Sequence, residues 1–150
     1  MDETDRRLLR LLQKDGRMTN VDLARQAHLS QAATFERVRR LQREGIIEGF
    51  TAILNPAALD RGLLVFVELV LDRTNAAVFT DFAEAVRRAP EILECHMVAG
   101  GFDYLIKARV KDMAAYRVFL GGTLAALPGV RQTHTYAVME EVKSAQGIPV

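Results

Sequence analysis

Four arginines dominate the chemistry that the chain can offer. Arg37, Arg39, Arg40 and Arg43 fall within seven residues, with Glu36 immediately before the run and Glu44 immediately after it. Guanidinium groups at helical spacing suit phosphate oxygens, or the O6 and N7 acceptors of guanine. A second cluster is the turn Gly100-Gly101-Phe102-Asp103-Tyr104. Two glycines can expose backbone N–H groups to a carboxylate, and the neighbouring Asp103 can take an ammonium. Together they match an α-amino acid, and Thr133 and Thr135, two apart on a later strand, add hydroxyls on one face. A glycine turn whose Asp bonds its own backbone explains the same residues.

Other chemistry is poorly supplied. The single Cys excludes an internal disulfide framework and a Cys-based zinc finger. Cys95 and His96 are adjacent and point to opposite faces of a strand, and His96 with His134 lacks a third ligand, so no metal is expected. No Ser-His-Asp spacing, phosphate loop or dinucleotide fingerprint is present, so no catalytic residue is assigned. An RNA-binding sheet needs exposed aromatics on its central strands, where this chain offers Lys107, Arg109 and Lys111.

Charge and length frame these clusters. The 150 residues carry a formal net charge of +1, which excludes a uniformly basic polyanion binder. Residues 1–50 hold a net +2 and residues 51–150 a net −1, so any DNA-binding surface is local. No apolar run is long enough to span a membrane, and the acidic start, Met1-Asp2-Glu3-Thr4-Asp5, is unlike a signal peptide, so a cytoplasmic protein is expected.

The elements that position the arginines read as three helices. Asp5 is expected to cap the first, which carries Leu8, Leu9, Leu11 and Leu12 and stops at Asp15-Gly16. Asn20 is expected to cap a short second helix, Val21 to Ala27. After His28-Leu29, Ser30 caps a third, from Gln31 to about Glu44. On its wheel Phe35, Val38 and Leu41 share the inward side; Ala33, Glu36, Arg37, Arg40 and Arg43 face out, with Arg39 on a flank. A short helix, a tight turn and a longer helix with an arginine face make a helix-turn-helix. The reading surface for double-stranded DNA is then Ser30, Gln31, Ala33, Thr34, Arg37, Arg39, Arg40 and Arg43.

The rest reads as strands and helices in the order β-α-β-β-α-β, a ferredoxin-like unit. Ile46 to Ile53 is extended before Asn55-Pro56. Leu63 to Leu71 is apolar on both faces except at Glu68, so both faces need cover, and a second copy is the simplest cover for one of them. A helix from Asn75 to about Arg88, a strand Ile92–Ala99, a strand Tyr104–Val110, a helix after Asp112 ending at Pro128-Gly129, and a strand Val130–Val142 follow. The fold class is therefore α+β: an N-terminal, winged helix-turn-helix (1–45), an extended linker (46–61), a ferredoxin-like βαββαβ effector and oligomerisation domain (62–143), and a tail (144–150).

The sequence resembles the Lrp/AsnC family of leucine-responsive and feast/famine regulators. The matching stretches run in order along the chain: Gln13-Lys14-Asp15-Gly16-Arg17, Asn20-Val21-Asp22-Leu23-Ala24, Glu36-Arg37-Val38-Arg39-Arg40-Leu41, Gly49-Phe50-Thr51-Ala52, Glu94-Cys95-His96, Gly100 to Tyr104, Asp112 to Tyr116, Leu127-Pro128-Gly129-Val130 and Met139 to Lys143. The resemblance implies a transcription regulator that dimerises through its sheets and assembles into octamers or larger forms. It also implies an amino-acid effector bound between dimers and no other cofactor. Effector positions are then Met97, Gly100, Gly101, Phe102, Asp103, Tyr104, Thr133, Thr135 and Tyr136, while Met113 and Ala125 match positions near the assembly interface. Gly101 stands where the family often has an acid, which favours a small neutral amino acid such as leucine or proline. The Gly-Gly loop with Thr133 to Tyr136 looks most like the branch that activates proline catabolism. His28 stands where the family often has Gly, in a backbone that His tolerates less well. Ser30 to Thr34 departs from the usual Ser-Pro-Thr-Pro-Cys. An amino-acid sensor with no DNA role is the alternative function.

Overall fold

The computed structural model describes residues 1–72, 75–144 and 147–150. They form two compact units, residues 1–53 with 143–150, and residues 54–142. Among the described residues no helix is long and apolar enough to cross a membrane. The predicted tail 144–150 lies partly outside the described residues, at 145 and 146.

The first unit holds α1 (Glu3–Lys14), α2 (Asn20–Ala27) and α3 (Gln31–Arg43). Asp5 does not cap α1. Asp2 does, its Oδ1 accepting from the Asp5 N–H at 2.8 Å while the Asp2 N–H donates back to Asp5 Oδ2 at 3.0 Å. This reciprocal box satisfies two orphan donors at once. Thr19, not Asn20, caps α2. Asn20 instead donates from Nδ2 to the Gln31 carbonyl at 3.0 Å, tying the start of α2 to the start of α3. Ser30 caps α3 as expected. His28 ends α2 at φ 58°, ψ 45°, the left-handed conformation that favours glycine. Leu8, Leu23 and Ala27 form the small core, joined by Leu11, Leu12, Met18, Leu29 and Val38. Residues 46–53 form no strand; their backbone has no ladder partner, because the sheet of this chain lies wholly in the other unit.

The second unit holds β1 (Leu63–Leu71), α4 (Ala76–Arg88), β2 (Ile92–Met97), β3 (Tyr104–Val110), α5 (Met113–Phe119) and β4 (Val130–Ala137). The antiparallel sheet has the order β2-β3-β1-β4. The strands alternate. Val65, Val67, Leu69 and Leu71 of β1, with Tyr104, Ile106, Ala108 and Val110 of β3, pack under Phe82 and Val86 of α4 and Tyr116 and Phe119 of α5. On the opposite face the register sets Phe66 and Glu68 beside Lys107 and Leu105 of β3 and beside Tyr136 and His134 of β4. β2 stops at Met97 and β4 at Ala137, both earlier than their apolar runs suggest. The helix after Asp112 loosens into a π turn at Leu120–Leu124, where Gly121 and Gly122 interrupt it. At Gly129, φ is +73° and a Cβ would meet Val78 Cγ1 at 2.7 Å, so the turn into β4 needs glycine twice over.

Candidate DNA-reading and effector sites

The predicted reading surface divides when α3 is built. Thr34 is fully buried and its hydroxyl donates to the Ser30 carbonyl at 3.0 Å, which removes it from any external surface. Phe35, assigned inward from the sequence, is 54% exposed. The true inward stripe is Thr34, Arg37, Val38 and Leu41, rotated from the predicted one. Gln31, Ala32, Phe35, Glu36, Arg39, Gln42 and Arg43 are exposed, and Ala33 is half-buried.

The arginines divide with it. Arg37 and Arg40 turn inward to a buried carboxylate. Asp5, 1% exposed, accepts from Arg37 Nη1 at 2.8 Å and from Arg40 Nη2 at 2.6 Å, and Arg37 Nη1 also reaches Asp2 at 2.7 Å. Burial by itself pushes the Asp5 carboxyl up. The Asp2 N–H, Arg37 and the charge of Arg40 outweigh burial and hold it below its ordinary value. The Arg37 hydrogen bond holds Asp2 down at about 2, and the same pairs raise Arg37. These two arginines therefore fasten α3 to α1. Arg39 and Arg43 stay on the outward face with Gln31. Sequence reasoning missed Asp5 and Asn20 as braces. The Asp2-x-x-Asp5 spacing signals the capping box, but nothing local signals a partner more than thirty residues away.

The effector candidates divide as well. The Asp103 N–H donates to the Leu69 carbonyl at 2.9 Å, and Asp103 Oδ2 accepts from the Leu71 N–H at 2.7 Å. The Val98 N–H closes the turn on the Asp103 carbonyl at 3.0 Å. One carboxylate oxygen is thus committed to pinning this loop against the end of β1. Gly100 and Gly101 are exposed, with open space where their Cβ atoms would stand. Leu69 pairs with both Tyr104 and Thr133, so the loop and Thr133 lie at the same end of the sheet.

Other members of the set lie apart. Tyr104 is a core residue, 7% exposed, its ring 4.3 Å from that of Phe82 and 6.2 Å from that of Phe79. Burial raises its phenol. Thr135 faces the helices and is hydrogen-bonded to the Tyr116 hydroxyl. Tyr136 is on the opposite face, donating to Glu68 Oε1 at 3.1 Å and stacked on His134. Met97 is exposed and Phe102 half-buried. Gly100, Gly101 and Asp103 are neighbours in one loop; Thr133, paired with the core residue Leu69, is on the same helix-facing side of the sheet as Thr135 and Tyr104, and Tyr136 is on the other.

Among the described residues, no group of three or more His, Cys, Asp or Glu side chains is placed to hold a metal ion. His96 and His134 lie on opposite edge strands, with two strands between them, so they cannot meet across neighbours. A cleft of about 300 Å³ between α4 and β2 is lined by Phe82, Val86, Ile92 and Cys95. Burial pushes the Cys95 thiol up to about 11, so it is protonated at neutral pH and a poor nucleophile.

Comparison with known proteins matches residues 1–48 to a winged helix-turn-helix DNA-binding model and residues 64–148 to the Lrp/AsnC ligand binding domain. The leucine-responsive regulatory proteins of Escherichia coli K12 and of Klebsiella pneumoniae are each 54% identical over 150 residues, covering 100% of this chain and 92% of theirs. A transcriptional regulator of Neisseria meningitidis, solved with L-Met, superposes with a TM-score of 0.95 at 34% identity, covering 99% of this chain and 96% of its own. Escherichia coli AsnC shares the fold, with a TM-score of 0.90 at 21% identity over 100% of this chain and 99% of its own.

Proposed function

Because this chain belongs to the Lrp/AsnC family of transcription regulators, we propose that α3 enters the major groove of double-stranded DNA and that a small neutral amino acid controls how the protein assembles there. The observation that carries the reading is the division of α3. Its inner arginines are spent on Asp5, while Gln31, Arg39 and Arg43 remain on an outward face of a helix capped by Ser30. A helix of this diameter fits the major groove, and fixing it from behind makes its outward face a rigid reading head. Arg39 and Arg43 take phosphates or guanine, and Gln31, near the N-terminus, meets base edges.

The open face of the sheet supports a dimer. Phe66 and Val70 of β1 and Leu105 of β3 leave apolar surface there, which a second copy would bury. Two copies would present two reading helices to half-sites of a roughly palindromic operator. Residues 46–61 then act as the link between reading head and sensing domain. Met113, Val118 and Ala125, all exposed, supply a surface for assembly beyond the dimer.

For the effector, the proposed contact surface is the exposed Gly100-Gly101 turn, which Asp103 pins to the end of β1, with Thr133 at the same end of the sheet. Leucine is the first candidate, because relatives of 54% identity are named for it, and methionine, bound by the Neisseria regulator, is the second. The ligand acts by binding one assembly more tightly than another. A thermal-shift screen of the standard amino acids, followed by DNA titrations with and without the hit, tests both parts. A stabilising amino acid that changes DNA affinity supports the proposal. Stabilisation by none of them, or DNA binding that ignores salt and ligand, overturns it.

A further inference from the structure

Phe35 is 54% exposed and stands outside the apolar cluster that holds the three helices together. It lies on the outward ridge Gln31–Phe35–Arg39, each residue four from the next. A polar reading head does not need a phenyl group for phosphates, and phosphates cannot use one. The one apolar feature that a base pair presents in the major groove is the thymine 5-methyl group, and Phe is among the side chains that contact it.

We propose that Phe35 is a specificity-determining residue that recognises a thymine methyl group in each half-site. The inference rests on the reading of α3 as the DNA-contacting helix. Residues four apart on a helix are offset by about 6 Å along its axis. Successive base pairs are about 3.4 Å apart. Gln31 and Phe35 therefore address base pairs within one or two steps of each other. Gln31 carries the amide that pairs with adenine N6 and N7, so the two side chains together select a short A·T-containing step. Arg39, one turn farther on, anchors the ridge to the backbone or to a guanine. The Gln31 end of this ridge is fixed by the Asn20 hydrogen bond to the Gln31 carbonyl, and the far end by the pairing of Arg37 and Arg40 with Asp5.

The test uses the full chain and a library of random duplexes of roughly two helical turns. The duplex selected by the wild-type protein is remade with each thymine replaced in turn by deoxyuridine, which removes only the methyl group. Wild type is expected to lose about fourfold in affinity per contacted methyl at one position in each half-site. Phe35→Ala is expected to bind the thymine and deoxyuridine duplexes alike, and Phe35→Leu to keep part of the difference. The slope of affinity against salt should be the same in all three, because no charge is altered. Wild type that tolerates every deoxyuridine, or Phe35→Ala that still discriminates, overturns the inference while leaving DNA binding by α3 intact. Failure to select any duplex overturns both. A changed oligomeric mass in Phe35→Ala also overturns it, since the ring would then be an assembly contact.

Discussion

Removing the Asp5 carboxylate should loosen the reading head more than any change on its outer surface. In Asp5→Ala the buried acceptor of Arg37 Nη1, Arg40 Nη2 and the Asp2 N–H disappears. Breaking one partner out of a buried ion pair costs about 3–5 kcal/mol, because the other charge stays desolvated. Here the low end applies. The side chains of Arg37 and Arg40 are 29% and 37% exposed, Arg37 keeps Asp2, and Glu44 Oε1 lies 3.9 Å from Arg40 Nε. The expected loss is therefore about 3 kcal/mol, on the order of a hundredfold in local opening. Fluorescence would miss it: the chain has no Trp, and its tyrosines, Tyr104, Tyr116 and Tyr136, are all in residues 54–142. Amide hydrogen exchange resolves it, with the loss confined to α1 and α3 and the amides of β1 and β3 unchanged. Asp5→Asn, which keeps an acceptor but no charge, should fall between. A loss in Asp5→Ala below about 1 kcal/mol, the value of an exposed pair, would refute the claim that Asp5 is the anchor.

Three further outcomes follow from the same geometry. Arg39→Ala and Arg43→Ala should each reduce the slope of log affinity against log salt, by about 0.9 where a phosphate contact is lost, whereas Arg37→Ala should weaken α1–α3 protection and leave the slope unchanged; equal slopes in all three variants would contradict this division. His28→Gly should raise the stability of the first unit by about 1 kcal/mol, read by urea denaturation, because only the His side chain is strained at φ 58°; a neutral or negative change would mean that the imidazole earns its place by a contact. Asp2 and Asp5 both titrate below their ordinary value of 3.8, so the stability they supply is complete above that pH and disappears as pH falls through their folded values, near 2 for Asp2. Exchange protection in α1 and α3 should drop between about pH 4 and pH 2, and Asp5→Asn should flatten that drop; an identical acid profile in the variant would assign the effect to other carboxylates.

Much was legible in the sequence because it is local. Ser30 caps α3 by a contact of three residues, Asn75 caps α4 likewise, and His28 ends α2 in the left-handed conformation that a family glycine would have adopted more easily. Periods of two and of 3.6 residues gave the βαββαβ order, and the double apolar character of β1 called for cover on both faces, which the helices supply on one. What periodicity leaves free is the rotation of an element about its own axis. On α3 the stripe Phe35–Val38–Leu41 and the stripe Thr34–Val38–Leu41 are both reasonable wheels, and only packing against α1 and α2 turned Thr34 in and Phe35 out. The roles of the arginines also depended on a distant partner. A guanidinium is a phosphate ligand or a structural clamp according to whether a carboxylate is buried beneath it, and Asp5 lies 32 residues from Arg37 in the chain. The same holds in the sensing unit, where strand order separated His96 from His134, the core claimed Tyr104, and Tyr116 took the hydroxyl of Thr135. Residue types and spacing determined which chemistry the chain could offer; the tertiary structure decided which groups were left free to offer it, because burial and pairing consume polar groups before any ligand arrives.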